Sequence, residues 1–215
     1  NGDLFNWGFS PDEIWGPGEI GTDIARWNEL KGNGTPDILG NVQMQSLDGI
    51  IQGSDKIDLM QGGTGDDYLI GGANADVLIG GAGDDVLDSG SGIDRLIGGR
   101  GNDIYIVDNL EDRIWEFPDS GTDTVYTTFS YALPAYVENA LMQGHAVAGL
   151  AGNDLVNFLE GNDATNGIQG NGASDVLLGH GGNDNLIGGS GDDYIDGGSE
   201  NDLLQGGTGD DVLVG

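Results

Sequence analysis

The sequence predicts an all-β fold: a parallel β-solenoid with turns of about 18 residues and an aromatic-rich N-terminal cap. Three observations predict it. A nine-residue unit recurs in frame through most of the 215 residues, glycine accounts for 43 of them, and acids outnumber bases 37 to 6, for a formal net charge of −31. A unit too short to bury a core must stack on its neighbours. A chain this acidic resists compaction until cations neutralise it.

Residues 1–52 form the expected capping segment. They hold three of the four Trp, at Trp7, Trp15 and Trp27, together with Phe5, Phe9, Pro11, Pro17 and Pro36. Solenoid ends need covering, so the segment reads first as a cap on the opening coil. An aromatic carbohydrate-binding surface and the tail of an upstream domain are the alternatives. The start, Asn1-Gly2-Asp3, has neither an initiating Met nor the charged-then-apolar pattern of a signal peptide. Gly215 falls where a new repeat should begin. Both ends therefore predict a fragment of a longer protein.

The first repeat run spans 53–106. A degenerate unit, GSDKIDLMQ, starts at Gly53, and five nonads follow from Gly62: GGTGDDYLI, GGANADVLI, GGAGDDVLD, SGSGIDRLI and GGRGNDIYI. Position six holds Asp58, Asp67, Asp76, Asp85, Asp94 and Asp103, and position eight is large and apolar, as in Leu69, Leu78, Leu87, Leu96 and Tyr105. The apolar end fits a strand of about three residues, and stacked strands lie about 4.8 Å apart. Glycine dominates positions one, two and four, where the chain must reverse with φ > 0. Two nonads make one turn: strand, loop, strand, loop.

Residues 107–151 link the runs. Gly98 and Gly152 are 54 residues apart, which is three whole turns, so the linker reads as solenoid continued in frame without regular metal sites, with room for one extruded loop. Its strand-like stretches are Tyr105–Val107, Arg113–Trp115, Thr122–Ser130 and Tyr136–Met142. The second run spans 152–215: GNDLVNFLE, GNDATNGIQ, GNGASDVLL, GHGGNDNLI, GGSGDDYID, GGSENDLLQ and GGTGDDVLV. Here position six is Asn157, Asn166, Asp175, Asp184, Asp193, Asp202 and Asp211, and position eight includes Leu177, Leu186, Ile195, Leu204 and Leu213.

Residues one turn apart lie above one another, so the position-six acids form columns: Asp67–Asp85–Asp103, Asp58–Asp76–Asp94, Asp175–Asp193–Asp211 and Asp184–Asp202. Two carboxylates about 5 Å apart repel by roughly 3 kcal/mol at an effective dielectric of 20. A divalent cation between them reverses the sign. Backbone carbonyls from the turns, expected from Gly63, Gly65, Gly81, Gly83, Gly189, Gly191, Gly207 and Gly209, complete an all-oxygen ligand set. Hard oxygen donors on a flexible loop suit Ca²⁺ better than Mg²⁺, which demands tight octahedral geometry. The columns predict about six to nine Ca²⁺ ions in such oxygen-rich loops, with the steps at Asn157 and Asn166 weaker or empty.

These nonads resemble the RTX, or repeats-in-toxin, family, whose GGxGxDxUx unit binds calcium in a parallel β-roll. The resemblance covers about two-thirds of the chain. It implies a secreted, extracellular protein of a Gram-negative bacterium, exported by a type I system whose signal usually lies at the extreme C-terminus. It also likens GTDTVYTTFSYALPAYVENALMQG to the spacer between calcium-binding runs. Departures are Asn157 and Asn166 for Asp, Asn74 and Glu200 for the fourth-position Gly, and Ser89 for the first.

Other chemistry is unsupported. Six basic residues leave no footprint for nucleic acid. No apolar run reaches the 18 residues of a membrane span, and without Cys neither disulfides nor thiolate sites arise. Repeated acids form ladders rather than the unique pair a glycosidase needs. His145 and His180, the two histidines, sit in no HExxH or GxSxG context and read as structural. The expected role is therefore non-enzymatic. It is a calcium-driven folding module that supports secretion and stability of a larger exported protein, with an upstream domain as its neighbour. The alternative is a structural or glycan-binding solenoid of an adhesin or surface-layer protein.

Overall fold

Each nonad ends in a stretch with one inward side chain flanked by two partly exposed ones, and this period-two pattern sets a strand one side chain deep. The computed structural model describes residues 39–44 and 49–215. Nearly all of the expected cap, with its three Trp, lies outside those residues. One face of the solenoid is a ten-stranded sheet of β2 (Gly49–Gln52), β4 (Asp67–Ile70), β6 (Val86–Asp88), β8 (Ile104–Ile106), β10 (Thr124–Thr127), β12 (Asn139–Met142), β14 (Phe158–Glu160), β16 (Val176–Leu178), β18 (Tyr194–Asp196) and β20 (Val212–Val214). The intervening strands form two five-stranded sheets. The first holds β1 (Leu39–Met44), β3 (Ile57–Thr64), β5 (Val77–Ala82), β7 (Arg95–Arg100) and β9 (Arg113–Ile114). The second holds β11 (Tyr131–Ala132), β13 (Ala148–Ala151), β15 (Asn166–Gly172), β17 (Asn185–Ser190) and β19 (Leu203–Thr208). From β2 to β20 the pairings are parallel. The described residues contain no helix.

The core is two facing files of apolar side chains. Ile51, Leu69, Leu87, Tyr105, Val125, Ala140, Leu159, Leu177 and Ile195 are stacked along the ten-stranded sheet and all but sealed from solvent. Met60, Leu78, Leu96, Ile114, Leu150, Ile168 and Leu186 face them. The parallel ladder fixes the register: Leu69 pairs with Leu87, and Leu177 with Ile195. A fully buried Leu contributes about 1.5–3 kcal/mol relative to an exposed one. Each coil adds only two or three such side chains, so the fold depends on many coils stacking.

The linker departs from the 18-residue beat. Tyr105 pairs with Val125, Val125 with Ala140 and Ala140 with Leu159. Successive turns there are thus 20, 15 and 19 residues long, as the matching hydrogen bonds between coils also record. The strand expected across Thr122–Ser130 is limited to Thr124–Thr127, and a new strand starts at Tyr131. A coil side accommodates only about four residues, and the Thr127 hydroxyl accepts the Phe129 N–H at 3.2 Å to turn the corner.

Candidate metal centre

The loops between strands are built by backbone sign. At positions two and four the chain turns left-handed, as at Gly81 (φ 126°) and Gly83 (φ 130°). The departures Asn74 (φ 74°) and Glu200 (φ 82°) are forced into the same region. Position one needs glycine for a different reason. A Cβ on Gly80 or Gly188 would fall within 3.0 Å of the carboxylate of Asp85 or Asp193 and of the next coil's carbonyl. Where Ser89 replaces that glycine it is fully buried, and its hydroxyl donates to the Ile106 carbonyl at 3.0 Å and to Asp112 Oδ2 at 3.2 Å.

This packing turns each position-six acid inward, and the acids stack in two columns. One column starts at Asp58. The Asp58 amide donates to Asp76 Oδ1 (2.8 Å), that of Asp76 to Asp94 Oδ1 (2.7 Å), and that of Asp94 to Asp112 Oδ1 (2.9 Å). The other runs from Asp67 to Asp85 (2.8 Å) and Asp103 (2.8 Å), then through Asp123 (2.8 Å) to Glu138 Oε2 (2.8 Å). In the second run Asn157, Asp175, Asp193 and Asp211 form one column, and Asn166, Asp184 and Asp202 the other. Asp58, Asp67, Asp76, Asp85, Asp94, Asp103, Asp175, Asp184 and Asp193 are buried, while Asp202 and Asp211 are half-buried.

The column bond uses one carboxylate oxygen. The other, Oδ2, is buried and accepts no hydrogen bond in Asp76, Asp85, Asp94, Asp103, Asp175, Asp184 and Asp193. Orphaned buried polar atoms are rare, and each costs about 1–3 kcal/mol or more when charged. The sign of φ at position two sorts these loops from the three that close on themselves. In the seven nonads concerned that residue is Gly72, Gly81, Gly90, Gly99, Asn171, His180 or Gly189, each left-handed. Ser54, Asn153 and Asn162 are not left-handed. Their amides turn back onto their own position-six side chains: Ser54 to Asp58 Oδ2, Asn153 to Asn157 Oδ1 and Asn162 to Asn166 Oδ1, each at 2.7 Å. Asn157 and Asn166 also donate from Nδ2, to the Glu138 carbonyl (3.0 Å) and the Ala148 carbonyl (3.3 Å). These loops are closed from within.

Burial dominates the electrostatics. It pushes Asp76 and Asp103 up to about 8 and Asp94 to about 7, against the pull of the amide each accepts, and neighbouring column acids raise them further. Asp85 and Asp175 rise to about 6 for the same reasons, and Asp184 and Asp193 also rise. Burying an uncompensated carboxylate is costly unless a charge or hydrogen bonds meet it. The carbonyls of Gly63, Gly65, Gly81, Gly83, Gly189 and Gly191 point along the stack at the glycine one coil on. Gly207 and Gly209 are left-handed like the rest. An orphaned carboxylate oxygen beside a glycine turn fits a hard divalent cation.

Residues outside the two repeat runs also enter the columns. Asp112 lies 18 residues after Asp94, so the spacing alone would have found it. Asp123 sits 20 after Asp103, and Glu138 15 after that. Only the short Gly121-x-Asp123 sequence hints at the first. Asp103, Glu116 and Asp123 bring carboxylate oxygens within 4.8 Å of one another. His180 and His145 are exposed, and His180 Nε2 lies 2.8 Å from Glu160 Oε1.

Comparison with known families matches the chain to the one described as RTX calcium-binding nonapeptide repeat (4 copies), over residues 52–87, 79–114, 169–204 and 196–215. Together these cover just over half the chain and leave 1–51 and 115–168 unmatched. No curated protein matches the chain.

Proposed function

We propose that this chain, which belongs to the RTX calcium-binding nonapeptide repeat family, folds in response to extracellular Ca²⁺ and so supports secretion and stability of a larger exported protein. Its calcium-binding repeats form a β-solenoid, a structural rather than a catalytic type of domain. The observation that carries the reading is the set of seven buried carboxylate oxygens that accept no hydrogen bond. Without a cation they oppose stacking. With one on each, they hold the coils together.

The Asp columns and the glycine carbonyls beside them would supply the ligands, Asp67, Asp202 and Asp211 joining the seven and Asp58, whose Oδ2 already takes the Ser54 amide and hydroxyl, binding most weakly. Extracellular calcium modules bind at about 10⁻⁴–10⁻³ M, far above the free calcium inside a cell, so the chain stays extended until export. At tenfold excess over Kd each site adds about 1.4 kcal/mol, and seven add roughly 10 kcal/mol, comparable with the stability of a whole domain. Ion binding of this kind is coupled directly to folding. Circular dichroism of the chain with millimolar Ca²⁺ and with excess chelator tests it. The β signal should depend on the ion and weaken in Asp85→Ala. Full β-structure in chelator would refute the mechanism.

A further inference from the structure

We propose that Glu116 and Asp123, both outside the nonapeptide pattern, complete a calcium site with Asp103 where the first repeat run passes into the linker. It rests on the reading that the repeat columns take calcium. Carboxylate oxygens of the three residues lie within 4.8 Å of one another, and all three residues are buried. Glu116 and Asp123 fall outside every stretch matched by the repeat family. Glu116 occupies no position-six slot; it follows β9 and enters the column from the side.

The second observation is an oxygen without a partner. Asp103 is fully buried, and its Oδ1 takes the Asp85 amide at 2.8 Å, whereas its Oδ2 accepts no hydrogen bond. That oxygen packs against Gly98 beside the hydroxyl of Tyr105. The hydroxyl accepts the Gly98 N–H at 2.7 Å and donates to Glu116 Oε1. The orphaned oxygen thus lies beside the hydroxyl that holds Glu116. Asp123 Oδ1 takes the Asp103 amide at 2.8 Å, and Oδ2 has only the Ser120 hydroxyl at 3.5 Å. Oxygens of all three residues keep lone pairs for a cation.

Tyr105 supplies the outer support. In the same file of the core the preceding coils carry Leu69 and Leu87. Tyr105 is as deeply buried as either and differs by a hydroxyl that fixes Glu116. Groups that hold a ligand in place sustain metal affinity. Burial and the charges of its neighbours raise both Asp103 and Asp123, as expected of acids assembled to be neutralised together. Three hard oxygen donors on loops of unequal length suit Ca²⁺ over Mg²⁺, whose octahedron is less forgiving.

The test is the ion count of the whole chain by isothermal titration, in wild type, Glu116→Gln and Asp123→Asn. Each variant should lose one ion of the wild-type count, or bind it about 10–100-fold more weakly, while calcium-saturated circular dichroism stays that of wild type. A wild type that binds calcium with variants unchanged in count and affinity overturns this site alone. A wild type that binds none overturns the repeat reading with it. Diffraction from wild-type crystals grown with Tb³⁺ in place of Ca²⁺ removes any dependence on variant folding. An anomalous peak among the three carboxylates supports the site, and peaks confined to the nonad loops overturn it.

Discussion

The loops ending in Asn157 and Asp193 belong to one column, two coils apart, and meet the same burial in opposite ways. Asn157 receives the amide of its own loop at 2.7 Å and donates from Nδ2 to the coil before it. Asp193 receives only the amide of the coil before it, and its Oδ2 is left without a hydrogen bond. The difference begins four residues upstream of each. Asn153 keeps an ordinary φ, whereas Gly189 (φ 122°) is left-handed and carries its amide away from the side chain. A backbone sign therefore decides whether a loop's own amide reaches its position-six side chain. The repeat solenoid contains self-closed loops and loops with an orphaned carboxylate oxygen on a single scaffold.

The largest expected break between the two kinds follows calcium withdrawal. In excess chelator, hydrogen exchange at the Asp67 and Asp175 amides, which bond to column carboxylates, should accelerate about 100-fold more than at the Asn153 and Asn162 amides. Equal acceleration would mean that the Asn loops have no stability of their own.

Acidity should narrow the gap next. Asp76 and Asp103 sit at about 8, Asp94 at about 7, and Asp85 and Asp175 at about 6, all raised by burial from 3.8. Between 3.8 and those values the folded chain binds more protons than the unfolded one. The penalty on the ion-free fold is complete above about pH 8 and is relieved as pH falls toward about 4. A urea titration in chelator should therefore give a higher midpoint at about pH 5 than at about pH 8, with no such trend in saturating calcium. A midpoint that rises with pH would contradict the burial of these acids.

Exchanging the loop types sharpens the comparison. Asn153→Gly with Asn157→Asp should open that loop, add one ion to the titrated count and cost about 1–3 kcal/mol in chelator. Asp193→Asn should remove one ion and gain stability in chelator. The smallest effect concerns strain alone: Ala173 holds position four at φ 66°. Ala173→Gly should add about 1 kcal/mol, or roughly 2–4 °C in Tm for a chain of this size.

Much of this was legible beforehand. Period nine gave the strands, position eight the core files and position six the columns, because each depends on side-chain identity at a fixed step. Asp112 was equally legible at 18 residues from Asp94. Asp123 and Glu138 were not, since turns of 20 and 15 residues shift them off the beat. Glu116 reaches the column through Tyr105, a tertiary contact with no spacing rule. The self-closing of the Asn loops depends on φ at Asn153 and Asn162, while Asn171 adopts φ 81° at the same position. Residue type alone cannot separate them.

The uneven turns of the linker also set where the gene can tolerate insertions and deletions. Coils of 20, 15 and 19 residues all leave their strands in parallel register, so the corners there absorb gained or lost codons. A nonad has no such slack between its acid and its inward apolar residue. Losing the codon between Asp175 and Leu177 would invert inside and outside in that strand: either the acid leaves its column or the leucine faces water. The repeat runs can therefore change length only by whole turns, and finer edits are confined to the linker.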